Sequence, residues 1–124
     1  MNDRLNKHLL DAAEAAQAVL DFLGDADAGQ YAADHLLRTA VERQLTILGE
    51  AARRALDPGP ALREQLPDLG FAVGLRNRLV HGYDVVDHEI VYDTARSDLP
   101  SLECELRAWL AAHGGRRPRM TARS

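Results

Sequence analysis

Apolar residues recur at gaps of three and four along most of the chain. Between Arg4 and Leu23 they fall at Leu5, Leu9, Ala12, Ala13, Ala16, Val19, Leu20 and Leu23, with charges on the opposite side. That period is the mark of a helix with one buried face. Gly24 can end it, and Asp25 to Gln30 reads as a turn. A second helix is predicted from about Tyr31 to Leu56, with Leu36, Leu37, Ala40, Val41, Leu45, Leu48, Ala52 and Leu56 as its stripe. Gly49 sits in its middle, where glycine costs up to roughly 1 kcal/mol against alanine. Close packing on a neighbouring helix is the favoured reason. Asp57-Pro58-Gly59-Pro60 is a strong stop, and Ala61 to Gln65 reads as a short helical turn before Pro67. A third helix is predicted from Asp68 to about Val80, with Phe71, Ala72, Leu75 and Leu79 inward and Gly82 as its terminator. Asp87 can cap a fourth helix that buries Ile90, Val91 and Ala95 and ends near Asp98. Pro100 suits the first turn of a fifth, reaching Trp109 and Leu110. Asp84-Val85-Val86-Asp87 is too short to count as a strand. The fold class is therefore all-α, an antiparallel bundle of four to five helices.

Length and composition narrow the class further. A chain of 124 residues that is 46% hydrophobic fits one ordered domain. We expect a helical domain over 1–113 and a disordered basic tail over 114–124, opened by Gly114-Gly115. Aromatic residues make up only 5% of the chain, so the core is modest, and partly apolar helix faces offer a physical route to a homodimer. Cys104 is the single cysteine, which excludes an internal disulfide framework and a cysteine zinc cluster. No run approaches 18 apolar residues, and Met1-Asn2-Asp3-Arg4 does not open a signal peptide. The expectation is a soluble, cytoplasmic protein without a membrane span.

Charge is unevenly placed. The net charge is −4, yet all 19 acids precede Gly114, while Arg116, Arg117, Arg119 and Arg123 follow His113. Eleven basic residues against nineteen acidic ones leave the body at −8. Such a body disfavours a broad nucleic-acid-binding face. Any chemistry on nucleic acid needs a local basic site or the tail. Lys7 is the only lysine.

Most familiar catalytic patterns are missing. There is no glycine-rich phosphate loop, no Gly-x-Ser-x-Gly elbow and no His-x-x-x-His pair. His8, His35, His88 and His113 are isolated and read as solvated surface residues. The exception is Arg76-Asn77-Arg78-Leu79-Val80-His81-Gly82-Tyr83. Arginine grips phosphate with a planar, permanently charged fork. Histidine is the side chain best suited to proton transfer near neutral pH. A phenol can donate a hydrogen bond or accept a transferred group. Together they suit phosphodiester chemistry without metal. The competing reading is structural: Arg78 and His81 stabilise a helix C-terminus that Gly82 closes. Helix geometry adds a constraint. Asn77 and His81 are four apart and neighbours, whereas Arg76 and His81 are five apart, about 140° around the axis. A shared phosphate then requires a helix break before His81 or a site assembled from two chains.

The pattern Arg76-x4-His81-x-Tyr83 resembles the signature of HEPN-domain ribonucleases. The run Ala40-Val41-Glu42-Arg43-Gln44-Leu45-Thr46-Ile47-Leu48-Gly49-Glu50-Ala51-Ala52, then Asp87-His88-Glu89-Ile90-Val91-Tyr92 and Asp98-Leu99-Pro100, resembles the HepT-like toxin family over about residues 4–112. The resemblance does not reach the tail. It implies an all-α homodimer whose two motifs meet in a cleft. It also implies an RNA-cleaving toxin paired with a minimal nucleotidyltransferase antitoxin. Arg76 would hold the scissile phosphate and His81 would do the acid–base work. Asn77 and Arg78 would support them, Arg78 through a carboxylate or the phosphate backbone. No metal and no cofactor would take part. Attack by the neighbouring 2′-OH would leave a 2′,3′-cyclic phosphate, so DNA would resist. Tyr83 matches the tyrosine that such an antitoxin modifies with AMP. Asp84 and Asp87 could orient His81 or cap the next helix, and the cap is favoured. The alternative function is a non-catalytic helical dimer that binds nucleotide or substrate for a separate nucleotidyltransferase, since this chain has no nucleotidyltransferase motif of its own.

Overall fold

The computed structural model describes residues 3–58, 61–81 and 87–113, which form six helices and their short connections. Helix α1 (Asp3–Leu23) buries Leu9, Ala12, Ala13, Ala15, Ala16, Val19 and Leu23. Its alanines combine high helix propensity with little bulk, so neighbours can lie close. Gly24 ends it with φ of +47°, a left-handed turn that glycine adopts without strain. The Gly24 N–H donates to the Leu20 carbonyl at 3.1 Å.

The next stretch departs from the sequence reading. The predicted helix Tyr31–Leu56 is two helices, α2 (Ala28–Ala33) and α3 (His35–Leu56). α2 starts on a capping box: Asp27 Oδ1 accepts from the Gln30 N–H at 2.8 Å, and Gln30 Oε1 accepts from the Asp27 N–H at 2.9 Å. The helix therefore begins inside the predicted turn. Asp34 then breaks the run. Its backbone is extended (φ −104°, ψ 96°) and its carboxylate accepts from the Leu37 N–H at 3.0 Å, starting α3 afresh. The break rotates the stripe, so Leu36 is 79% exposed and leaves the core. Tyr31 goes fully inside, and burial pushes its phenol up to about 12.

α4 (Leu62–Gln65) and α5 (Pro67–His81) lie close to their predicted ranges. Pro67 opens α5, where its missing N–H would have no intrahelical partner. Leu69, Ala72 and Leu75 are buried and Leu79 packs against them, but Phe71 is 50% exposed. Phe71 lies about 100° around the axis from Ala72 and so misses the narrow buried ridge.

The fourth and fifth predicted helices are one continuous helix, α6 (His88–His113). Asp87 caps it as expected, with Oδ1 accepting from Glu89 and Ile90 N–H groups at 3.0 and 3.2 Å. Pro100 stands inside the helix on its exposed side. An interior proline costs about 3 kcal/mol. The buried line Val91, Ala95, Leu99, Leu102 and Leu106 runs past it unbroken, and that packing outweighs the lost hydrogen bond. Ile90, expected inside, is 48% exposed. Cys104 is a free, exposed thiol on this helix.

α1 packs against both α3 and α6, and α3 packs against α5. Arg96 fastens α6 to the turn after α1, donating to the carbonyls of Gly24 and Ala26 at 2.6 and 2.8 Å. Tyr92 Oη also donates to Ala26, at 2.6 Å. At the other end of α6, Trp109 Nε1 donates to Gln65 Oε1 at 2.9 Å. Among the described residues no helix is long and apolar enough to cross a membrane. Gly82, Tyr83, Asp84 and the tail 114–124 lie outside the described residues.

Candidate active site

The site begins with a missing side chain. A Cβ on Gly49 would stand 2.0 Å from Arg76 Cβ, 2.7 Å from Arg76 Cγ and 2.9 Å from the Ala72 carbonyl oxygen. α3 and α5 therefore touch nearly backbone to backbone, and the close packing expected of Gly49 is present. The contact fixes the stem of Arg76 against α3.

From that stem the guanidinium reaches two partners. Nη2 lies 3.4 Å from Glu50 Oε1, and Nη1 donates to Asn77 Oδ1 at 3.2 Å. The Arg76 Nε is buried without a hydrogen-bond partner. Glu50 also accepts from Arg53 Nη2 at 2.7 Å and lies 3.2 Å from Arg54 Nε. One carboxylate thus gathers three guanidiniums. The Arg53 hydrogen bond, followed by the charges of Arg53, Arg54 and Arg76, holds the Glu50 carboxyl below its ordinary value, against the opposing effect of burial. A carboxyl depressed in the folded state contributes stability above its unfolded value and loses it as pH falls through the folded one. Glu50→Gln should therefore melt below wild type at neutral pH. The gap should close as pH drops below the ordinary glutamate value of 4.5. Thermal melts of both proteins across the acid range check this, and a gap independent of pH counts against it.

Around Arg76 the surface folds into a cleft of about 310 Å³, lined by His8, Arg43, Thr46, Ile47, Glu50, Ala51, Arg54 and Arg76. α1, α3 and α5 each contribute. Three arginines and an imidazole face one carboxylate, so the cleft is built to attract anions. Sequence reading missed His8, which it took as a solvated surface residue, and it passed over Arg43, Glu50 and Arg54. A signal for the α3 members does exist: Arg43, Ile47, Glu50 and Arg54 recur at gaps of four, three and four, a largely polar stripe beside the buried one. His88 is also not simply solvated. It is half-buried, with Nδ1 3.8 Å from Glu42 Oε2 and its ring edge-on to Tyr31 at 6.4 Å between centroids.

The remaining motif residues are spread around α5. Asn77 and Arg78 are exposed, and among the described residues Arg78 forms no ion pair. α5 continues as one helix to His81, its last residue. No break therefore separates Arg76 from His81, and the two positions stay about 140° apart around one axis. Tyr83 lies outside the described residues, as does the side chain of His81. Among the described residues no group of three or more His, Cys, Asp or Glu could hold a metal ion.

Comparison with known sequences decides the family. The Ribonuclease HepT-like family model matches residues 12–108. The chain belongs to the HepT-like ribonuclease family. A Methanocaldococcus jannaschii protein named as a candidate RNase is 33% identical over 100 residues, covering 79% of this chain and 89% of the relative. A Thermococcus cleftensis protein named "Probable ribonuclease HepT" is 30% identical over 96 residues, covering 77% and 86%. No solved structure gives a significant match. The HepT-like match takes in the buried stripe of α1 from Ala12 onward, those of α3 and α5, the cleft residues from α3 and the whole segment 76–83. It leaves out His8 and the tail.

Proposed function

We propose that this HepT-like chain is a metal-independent endoribonuclease, the cytoplasmic toxin of a pair whose antitoxin is a minimal nucleotidyltransferase. The observation that carries the reading is Arg76, braced by Gly49 and Glu50 in a cleft whose other charged groups are mainly cationic. A phosphodiester entering the cleft meets a preorganised, partly buried guanidinium, the kind of donor that stabilises charge on a transferring phosphoryl group.

The residues divide the work. Arg76 holds the scissile phosphate. The 2′-OH attacks phosphorus, its O–P bond forms, and the bond from phosphorus to the 5′ oxygen breaks. His81 takes the 2′ proton and returns it to the leaving 5′ oxygen, giving a 2′,3′-cyclic phosphate and a 5′-hydroxyl. Asn77 orients His81 from one turn away, and Arg78 steadies the flanking backbone. Neither cofactor nor metal enters. Because one helix carries Arg76 and His81 on different faces, the working site pairs them across a homodimer. The catalytic unit is the helical domain 1–113, and the tail 114–124 plays no chemical part. Tyr83 accepts AMP from the antitoxin. Each added nucleotide brings phosphate charge and bulk to a chain that has to attract RNA phosphate, and so opposes RNA binding.

Two preparations test this, the chain alone and the chain made with its nucleotidyltransferase. The chain alone should cut RNA in EDTA, leave DNA intact and produce cyclic phosphate ends. The co-expressed chain should gain AMP mass on Tyr83 and lose cleavage. Activity that stops on chelation, or equal cutting of DNA, overturns the mechanism.

A further inference from the structure

The cleft around Arg76 does not end at its rim. A second, shallower depression of about 590 Å³ adjoins it, lined by Asp3, Arg4, Lys7, His8 and Arg54. His8 and Arg54 line both. Together the two depressions gather Arg4, Lys7, Arg43, Arg54 and Arg76, five of the eleven basic residues in a body that is otherwise acidic. Their anionic company is Glu50 and Asp3, with Asp11 paired to Lys7 at 3.0 Å just beyond. Arg4 and Arg43 have no ion pair among the described residues. Outside the strip, Arg96 is held on backbone carbonyls and Arg107 on Glu103 at 2.8 Å, while Arg63 and Arg78 have no ion pair among the described residues.

Resting on the ribonuclease reading above, we propose that the strip from Arg76 over His8 and Arg54 to Arg4 and Lys7 is a track for the flanking backbone of single-stranded RNA. Arg54 and His8 take the phosphate next to the scissile one, and Arg4 and Lys7 take phosphates further along. The track is narrow, and the acidic body around it repels the wide phosphate surface of a duplex. It reads charge and not bases. Among the described residues neither depression has a Phe, Tyr or Trp in its lining on which bases could stack, nor an Asn or Gln to read base edges. The enzyme is accordingly tolerant of sequence outside the cut itself.

The test is binding of a fluorescent, fully 2′-O-methylated RNA of about twenty nucleotides, which cannot be cleaved by 2′-OH attack, measured by anisotropy over a salt series. Arg4→Gln/Lys7→Gln changes two exposed residues at the start of α1. It should weaken binding about tenfold at low salt and flatten the slope of log affinity against log salt by about 1.4, the single-strand value for two phosphate contacts. Arg107→Gln, at an exposed position of α6 outside the strip, should match wild type in both respects. Unchanged affinity and slope in the double variant overturn the track. So does an equal loss in Arg107→Gln, which makes the effect one of net charge. Retained RNA binding with lost binding of polyglutamate assigns the strip to an acidic protein and overturns it too. The two proposals fail separately. Weakened binding in a protein that never cuts RNA preserves the track and removes the ribonuclease, whereas RNA cleavage with the double variant binding as wild type does the reverse.

Discussion

Alanine at position 49 is expected to destabilise the protein by about 3 kcal/mol or more, in the range of severe overpacking, and to lower its melting temperature by roughly 10 °C. The sign is what makes this informative. By helix propensity alone, Gly→Ala in the middle of a helix should stabilise by up to roughly 1 kcal/mol. The new methyl instead meets Arg76 Cβ at 2.0 Å and the Ala72 carbonyl at 2.9 Å, and neither is the far end of a flexible side chain. α3 and α5 must separate. Whatever fraction still folds carries Arg76 displaced from Glu50, so RNA cleavage falls even where the protein remains helical. Melting by circular dichroism and cleavage on the same preparation check both parts. A melting temperature equal to or above wild type, with normal cleavage, refutes the backbone contact and the role of Gly49 in placing Arg76.

The second large effect concerns how the site is assembled. Arg76→Ala should cut the cleavage rate about 10²–10³-fold, the usual loss for a donor to a developing anion. His81→Ala should cut it about 10²–10⁴-fold, the usual worth of a general acid or base. Mixed together, the two dead variants should recover. α5 is one helix through both positions, so a composite site takes Arg76 from one protomer and His81 from its partner. Random pairing makes half of the dimers mixed, each with one intact pair, so activity should return to about a quarter of wild type in an isologous dimer. If a single chain supplies both residues, no mixed dimer holds a complete set and the mixture stays silent. Co-expression of differently tagged copies followed by an RNA cleavage assay separates the outcomes.

What was legible in the sequence followed local rules. The period of α1, the end of the long helix at Leu56, the Asp87 cap and the packing role of Gly49 each depend on a few neighbouring residues. The misreadings came where a competing local cap or tertiary packing overrode the helical period. Asp34 looked like one more polar position in a long helix, yet its carboxylate caps better than its backbone propagates. Pro100 looked like a helix start, yet the apolar line from Val91 to Leu106 carries the helix through it. Phe71, Ile90 and Leu36 fit a helical period but lie just off the ridge that is buried. The site divides in the same way. The motif 76–83 is contiguous and visible at once. The cleft joins three helices, and nothing short of the fold places His8 of α1 near Arg54 of α3 and Arg76 of α5.

The single exposed thiol on α6 has a practical consequence. Cys104 is the only cysteine in the chain, and it is not among the residues lining the cleft. A nitroxide attached there puts one spin on each protomer without a cysteine-free background. Pulsed electron resonance on the proposed dimer would then report one inter-spin distance, and diluting labelled with unlabelled chain would erase it. Repeating the measurement after AMP transfer would show whether modification alters the separation of the two protomers or acts within the cleft alone.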